Sequence, residues 1–265
     1  MQRILFVLMA AAALVLPASA QQQVQRAPVD WWLGYDSFRS VSMSPNGQYI
    51  AALRHDDTGD ILMITDMATR QSRAIQRART DQSLQIVSVG FASNTRVVFI
   101  LQQRNRVEFT RGSAVRRATV DGGFETNTRI YASDLDGGNL IPLYDPSRQG
   151  FDATVDAGLI SLLPKDDDNV LLIVPTQGGN ELRRVNVSTG AQQRVDTGTI
   201  FTAGWEVDID GTPVLRTDII DNGRGYVWLR RGPGQRTWTE ITRYRGEEGV
   251  NSAPPFQPAG PGGQP

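Results

Sequence analysis

The sequence contains no cysteine, one histidine (His55) and one lysine (Lys165) among its 265 residues. Without cysteine the chain can form neither disulfides nor thiolate zinc sites, and it has no thiol nucleophile, so its stability must come from an ordinary hydrophobic core. A single histidine also excludes a multi-histidine metal site. The formal net charge is only −1 and the charges are spread along the chain. Neither a nucleic-acid-binding surface nor a basic membrane-binding cluster is therefore indicated.

Long apolar runs are equally scarce, and the one that exists lies at the N-terminus. Arg3 precedes an apolar run over residues 4–16, which ends in Pro17-Ala18-Ser19-Ala20. A positive charge, a short apolar stretch and small residues at its end are typical of a secretory signal peptide. The run is also shorter than the roughly 20 apolar residues that span a membrane. We expect cleavage after Ala20, a mature chain that is periplasmic or secreted, and no membrane span in it.

Sustained helical spacing of apolar residues is missing beyond the signal peptide. Period-two alternation and β-branched runs dominate instead, and glycine is frequent, with 26 residues. The sequence therefore predicts an all-β protein.

Four segments repeat one plan of turn, strand, strand, turn and closing strand. The opening turns are Ser44-Pro45-Asn46-Gly47 and its counterparts around residues 92–95, 164–169 and 208–213. Asp66, Asp134 and Asn186 end equivalent strands and lie 68 and 52 residues apart. A four-stranded propeller blade takes about 40–50 residues, so the longer interval predicts an insertion over 104–127.

These repeats predict β-propeller-type architecture with about four four-stranded blades, forming an incomplete propeller. The alternative is a two-sheet sandwich, which also has short strands and regular turns. The expected organisation is a signal peptide (1–20), a lead-in (21–40), the blades (41–246) and a tail (247–265). The tail is expected to be disordered because residues 251–265 contain five prolines and one large apolar residue.

Each candidate catalytic or metal-binding group in the sequence is better explained as part of a solvated turn or a linker than as a functional site. His55 lies beside Asp56 and Asp57, but the sequence has no G-x-S-x-G nucleophile motif, and we predict a solvated hairpin turn there. Residues 166–169, Asp-Asp-Asp-Asn, lack the alternating oxygen ligands of a calcium loop and are predicted to be a solvated turn as well. Glu247-Glu248, which could be a paired acid site or an amine clamp, is interpreted as a linker.

Glycine pairs and tryptophans are the remaining candidates. The pairs at 122–123, 137–138 and 178–179 lie between predicted strands with no helix after them, so they do not indicate a phosphate-binding loop. Trp31 and Trp32 could form a stacking platform, although packing is the favoured explanation. The three other tryptophans are predicted to pack in or between blades: Trp205, Trp228 and Trp238. We therefore predict no catalytic, cofactor-binding or metal-binding residue, and no cofactor.

Residues 38–51, FRSVSMSPNGQYIA, resemble the first blade of secreted prolyl oligopeptidase family serine peptidases related to acylaminoacyl peptidases and dipeptidyl aminopeptidases. The resemblance continues through Asp66 and Thr69 and through residues 204–213, and it covers most of residues 30–246. The Ser-Pro-x-Gly motif is shared with TolB-like periplasmic propellers. The family implies a propeller of seven or eight blades followed by an α/β-hydrolase domain.

This chain departs from the family pattern in ways that bear on its activity. It contains about four blades and no hydrolase domain, so no catalytic residue can be transferred to it. Glu247-Glu248 also lacks the Asp-Trp that precedes the amine-anchoring glutamates of dipeptidyl peptidase IV relatives.

Three functional hypotheses follow from the sequence. The first is a non-catalytic propeller portion of an exported peptidase, which gates the access of a peptide substrate. The second is a stand-alone periplasmic propeller that binds a protein partner. The third is a sugar-binding or peptidoglycan-binding module that uses Trp31 and Trp32. Because an incomplete ring exposes apolar faces at its ends, we also expect self-association or a partner that covers both ends.

Overall fold

Short antiparallel strands make up nearly all of the regular structure in the part of the chain that is described. The structure is a computed structural model, and it describes residues 38–106, 120–121, 124–148 and 156–245. These residues belong to the unit Ser37–Pro265, whereas the unit Met1–Asp36 lies outside them. The strands form four sheets that follow one another along the chain.

Three of the sheets are four-stranded meanders in which the strands pair in chain order. The first sheet contains β1 (Phe38–Met43), β2 (Tyr49–Asp56), β3 (Gly59–Asp66) and β4 (Ser72–Arg79). The third contains β10 (Gly158–Ser161), β11 (Asn169–Thr176), β12 (Gly179–Asn186) and β13 (Gln192–Thr197). The fourth contains β14 (Thr202–Val207), β15 (Pro213–Ile220), β16 (Gly225–Arg230) and β17 (Thr239–Arg245).

The second sheet follows the same plan with two lengthened strands. It contains β5 (Leu84–Phe91), β6 (Arg96–Arg106), β7 (Val120–Asp121), β8 (Phe124–Asp134) and β9 (Ile141–Tyr144). β8 pairs with β6 along its whole length, and its two ends pair with β7 and β9. Part of the predicted insertion is therefore an extension of the β6–β8 hairpin, and residues 107–119 and 122–123 lie outside the described residues.

Polar side chains at the strand ends fix the turns that the sequence predicted. Asp66 ends β3, and its Oδ1 accepts hydrogen bonds from the backbone N–H groups of Ala68 (2.8 Å) and Thr69 (3.0 Å). Asn186 ends β12 and accepts equivalent bonds from Ser188 and Thr189. A side-chain oxygen that binds backbone N–H groups two and three residues later stabilises the reversal of the chain.

Glycine begins the third strand of the first and third sheets, where no other residue would fit. Gly59 has φ +140°, and a Cβ atom there would lie 2.0 Å from the carbonyl oxygen of Ala78. Gly179 has φ +138°, and its Cβ would lie 2.6 Å from the carbonyl oxygen of Gly198. Glycine is the one residue whose backbone readily adopts such angles and that brings no side chain to the neighbouring strand.

Replacement of Gly59 by alanine is therefore expected to destabilise the protein by about 1–3 kcal/mol, the usual cost of strained backbone. Gly178→Ala is the matched control, because a Cβ at that turn position would meet nothing within 4 Å. Urea denaturation of the two variants measures the difference. Equal midpoints for both variants would show that the start of β3 can relax at no cost.

Successive sheets pack face to face through three apolar clusters. The first and second sheets share a cluster that includes Leu53, Leu62 and Phe99. The second and third sheets share one around Ile130 and Leu172. The third and fourth share a smaller one that includes Leu171 and Trp205. The core is therefore distributed between the sheets, as in a propeller, and is not enclosed by two facing sheets as in a sandwich.

The first strands of neighbouring sheets also lie side by side, β1 beside β5 and β10 beside β14. Four such sheets in chain order form the predicted incomplete propeller, and we refer to them below as blades. No packing of comparable extent joins the first and fourth blades among the described strands. None of the helical segments that the structure describes is long and apolar enough to cross a membrane.

Candidate functional site

A buried carboxylate, Asp60, lies where the first two blades meet. Only 2% of its side chain is exposed. Its Oδ1 accepts a hydrogen bond from the guanidinium of Arg39 and lies 2.8 Å from Nδ1 of His55. Its Oδ2 accepts a hydrogen bond of 3.1 Å from the backbone N–H of Ile86, in the second blade. Asp60 therefore connects β1, β2 and β3 to β5.

This geometry revises the prediction for His55. The residue lies in β2, and the side chain is partly buried against Asp60, whereas the sequence predicted a solvated turn. A histidine oriented by a carboxylate supplies two of the three members of a Ser-His-Asp arrangement. The same carboxylate, however, also binds Arg39 and a backbone N–H of the neighbouring blade. That sharing is typical of a structural polar cluster that holds two sheets in register.

Equivalent polar contacts join the other blades. The guanidinium of Arg96 is almost buried, binds Asp134 at 2.6 Å in its own blade and donates to the carbonyl oxygen of Val187 in the third blade. Between the third and fourth blades, Asn180 donates to the carbonyl oxygen of Thr202 at 2.7 Å. Each contact between blades thus combines an apolar cluster with at least one buried polar bond.

A cavity of about 300 Å³ opens at the turn between β3 and β4. Its lining includes Tyr49, Ile64, Asp66 and Arg73. Arg73 also donates through Nε to the carbonyl oxygen of Leu135 in the second blade, at 3.0 Å. The volume is at the lower end of the range for small-molecule sites. The cavity offers the phenol of Tyr49, the hydroxyls of Thr69 and Ser72 and the guanidinium of Arg73 to a ligand.

The carboxylate of Asp66, which lines this cavity, stabilises the turn between β3 and β4. Hydrogen bonding from the Thr69 backbone N–H, supported by that of Ala68, holds the pKa of the Asp66 carboxyl below its usual value. Asp56, at the opposite end of the blade, behaves similarly, because hydrogen bonds from Thr58 lower its pKa to about 2. Both carboxylates are therefore ionised at neutral pH and occupied by local bonds, which does not suit a general acid or base.

In the acidic turn at 166–169, Asp166 is bound by neighbouring side chains, whereas Asp167 and Asp168 are exposed to solvent. Asp166 accepts hydrogen bonds from Asn169 Nδ2 (2.9 Å) and from the guanidinium of Arg184. Burial raises the pKa of Asp166, but the bonds from Asn169 and Arg184 outweigh burial and hold it below its ordinary value. Across the described ranges, no three histidine, aspartate or glutamate side chains converge in a way that could hold a metal ion.

The other predicted positions divide into those that the structure describes and those outside it. Gly137-Gly138 lies in the turn between β8 and β9, as predicted, whereas in the second pair only Gly178 lies in a turn and Gly179 is the first residue of β12. Trp205 packs in the cluster between the last two blades, and Trp238 packs against that cluster with its ring 4.4 Å from the guanidinium carbon of Arg231. Outside the described residues lie the signal peptide (1–20), Trp31, Trp32, Gly122-Gly123, Glu247-Glu248 and residues 251–265.

Comparison with known proteins finds similarity at the level of fold. No protein-family model matches the chain, and no curated protein matches it. Among solved structures, a prolyl endopeptidase superposes with a TM-score of 0.50 at 12% identity, over 79% of this chain and 30% of the endopeptidase. Dipeptidyl peptidase 4 of Porphyromonas gingivalis gives a TM-score of 0.43 at 12% identity, over 73% and 29%. TolB of Acinetobacter baumannii gives 0.40 at 14% identity, over 80% and 42%.

The class of protein that these findings define is the β-propeller. A prolyl endopeptidase is among the solved structures that share this fold. The chain spans less than half the length of each of the three proteins compared above. The sequence comparisons add no family assignment to this fold.

Proposed function

We propose that this chain is the non-catalytic propeller portion of an exported serine peptidase of the prolyl oligopeptidase type. In that role the blades gate the access of peptide substrates to a hydrolase domain supplied outside the chain described here. Propellers suit gating because radial blades surround a narrow central passage.

The observation that carries this proposal is the propeller fold of the four sheets, which this chain shares with a prolyl endopeptidase. The sequence has no G-x-S-x-G motif. Its one histidine takes part in the Asp60 cluster that joins two blades. The fold is shared with a prolyl endopeptidase over 79% of this chain. A propeller joined to a hydrolase domain would contribute to peptidase action by controlling access to the active site.

The experiment is to read the gene beyond the codon for Pro265 and to purify the chain in its native assembly from the cell envelope. We expect a G-x-S-x-G hydrolase encoded in the same or the adjacent reading frame, and a fluorophosphonate-labelled serine in the same assembly. The isolated chain itself should remain unlabelled. Dissociating the chain from the assembly should raise cleavage of a long peptide more than cleavage of a short one, because the gate is removed.

Two results would contradict this proposal. An unrelated downstream gene together with an assembly that the probe does not label would favour the stand-alone propeller that binds a protein partner. An unchanged ratio of long-peptide to short-peptide cleavage would show that the blades do not control access.

A further inference from the structure

The cavity at the turn between β3 and β4 lies at the boundary between the first and second blades. Ile64, in its lining, belongs to the apolar cluster that these two blades share. Arg73, also in the lining, donates through Nε to the carbonyl oxygen of Leu135 in the second blade. Ile64 and Arg73 pair across β3 and β4, so they lie on the same face of the sheet. The cavity therefore lies on the face of the first blade that meets the second.

One strand pairing beside this cavity recurs in the next two blades. It joins the first residue of one long strand to the last residue of the next, and the three pairs are Tyr49 with Asp66, Arg96 with Asp134, and Asn169 with Asn186. In the second blade the Arg96 side chain is only 8% exposed, and its guanidinium binds Asp134 and a carbonyl oxygen of the third blade. In the first blade a tyrosine stands in place of this arginine, and the cavity lies beside Asp66. A place that a cation fills in the second blade is therefore a cavity in the first.

Two opposite charges line the cavity, and each is held by bonds of its own. Asp66 Oδ1 accepts hydrogen bonds from the backbone N–H groups of Ala68 and Thr69, and Arg73 donates through Nε to Leu135. A carboxylate has about four acceptor positions and a guanidinium has five N–H donors, so each group can bind a further partner. A ligand with one charge would be attracted by one of these groups and repelled by the other. A ligand with both charges would be attracted by both.

The positions of the two charged residues indicate the length of such a ligand. Arg73 pairs with Ile64, and Asp66 follows Ile64 by two residues, so Asp66 and Arg73 are diagonal neighbours on one face. Diagonal neighbours across antiparallel strands lie about 7–8 Å apart. An extended dipeptide spans about 7 Å, whereas a single amino acid spans about 3.5 Å. The charged ends of a dipeptide therefore match this separation better than those of a single amino acid.

We propose that this cavity binds an unblocked dipeptide, with its ammonium group at Asp66 and its carboxylate at Arg73. The ammonium group then occupies the place that the Arg96 guanidinium occupies in the second blade. Both ends make charge-assisted hydrogen bonds, which are stronger than bonds between neutral groups. The phenol of Tyr49 and the hydroxyl of Ser72, which also line the cavity, are available to the peptide group between the two ends. This site goes beyond the proposed gating role and can be tested on the full chain by itself.

Isothermal titration calorimetry of the full chain with glycylglycine tests the site. We expect saturable binding of one dipeptide per chain. N-acetylglycylglycine lacks the ammonium group, and glycylglycinamide lacks the carboxylate. Each should bind more weakly than glycylglycine by roughly tenfold or more, the loss expected for one hydrogen bond to a charged group.

Two variants assign the two charges to their ends of the ligand. Asp66→Asn should keep the turn intact, because Asn186 accepts equivalent bonds from backbone N–H groups in the third blade. This variant should bind glycylglycine roughly tenfold more weakly and should no longer prefer it to N-acetylglycylglycine. Arg73→Gln should weaken binding to a similar extent and should remove the preference for glycylglycine over glycylglycinamide.

Two further variants serve as controls. Tyr49→Arg introduces the guanidinium that Arg96 supplies in the second blade, so it should fill the cavity and abolish binding. Asp208→Asn makes the same change of charge at a turn of the fourth blade, where Asp208 accepts bonds from the N–H groups of Asp210 and Thr212. It should leave the affinity for glycylglycine unchanged. Urea denaturation of each variant shows that it is folded.

The absence of saturable binding of glycylglycine at millimolar concentrations would overturn the inference. Equal binding of either blocked analogue would overturn it too, as would an unchanged affinity in folded Asp66→Asn or Arg73→Gln. None of these results bears on gating, which is tested by the ratio of long-peptide to short-peptide cleavage. The two proposals can therefore fail separately.

Discussion

Asp60→Ala is expected to lower the free energy of unfolding by about 3 kcal/mol, the lower end of the range for losing one partner of a buried ion pair. The substitution leaves Arg39, His55 and the N–H of Ile86 without the carboxylate that binds them. The lower end applies because Arg39 is partly exposed, and water can replace part of the lost contact. Urea denaturation followed by tryptophan fluorescence measures the effect.

Two control variants separate the role of the carboxylate from the loss of side-chain volume. Asp60→Asn retains an acceptor for one donor and should cost clearly less than Asp60→Ala. Asp57→Ala alters an aspartate of the adjoining turn and should leave the denaturation midpoint nearly unchanged. If Asp57→Ala and Asp60→Ala had equal effects, the Asp60 cluster would contribute nothing to the packing of the first blade on the second.

The local structure could be predicted from the sequence because its causes are local. Asp66 and Asn186 end their strands by binding the backbone two and three residues later, so a single side chain carries the signal. Alternating and continuous apolar runs identified the long middle strands β6 and β11. The first strands of the blades were harder to predict from the sequence. Apolar and polar residues alternate only weakly in Phe38–Met43, and Gly158–Ser161 is only four residues long.

The polar contacts between blades could not be predicted, because their partners are distant in sequence. Asp60 binds the backbone N–H of Ile86, and Arg96 binds the carbonyl oxygen of Val187. Backbone N–H and carbonyl groups occur in residues of almost every type. The partner in such a bond therefore leaves no motif in the sequence. The one available signal was an aspartate at the start of an otherwise apolar strand, Gly59–Asp66, since a buried carboxylate must have a partner.

The surfaces between neighbouring blades bear on both the stability of the described structure and the proposed gating. Apolar clusters hold neighbouring blades together, and buried polar bonds such as Asp60 to Ile86 fix how each blade meets the next. In the proposed function, these contacts hold the blades in place around the central passage through which a substrate would enter.

The largest loss of stability from one substitution is expected for Phe99→Ala, at about 4 kcal/mol, because truncating a buried phenylalanine removes apolar burial and leaves a cavity. Phe99 is 2% exposed, stacks on Tyr131 with ring centroids 5.7 Å apart, and lies in the cluster between the first two blades. Phe201→Ala is the matched control, since Phe201 is 43% exposed and should change stability little. Both are measured by urea denaturation. A small effect of Phe99→Ala would mean that the two blades do not form a shared core.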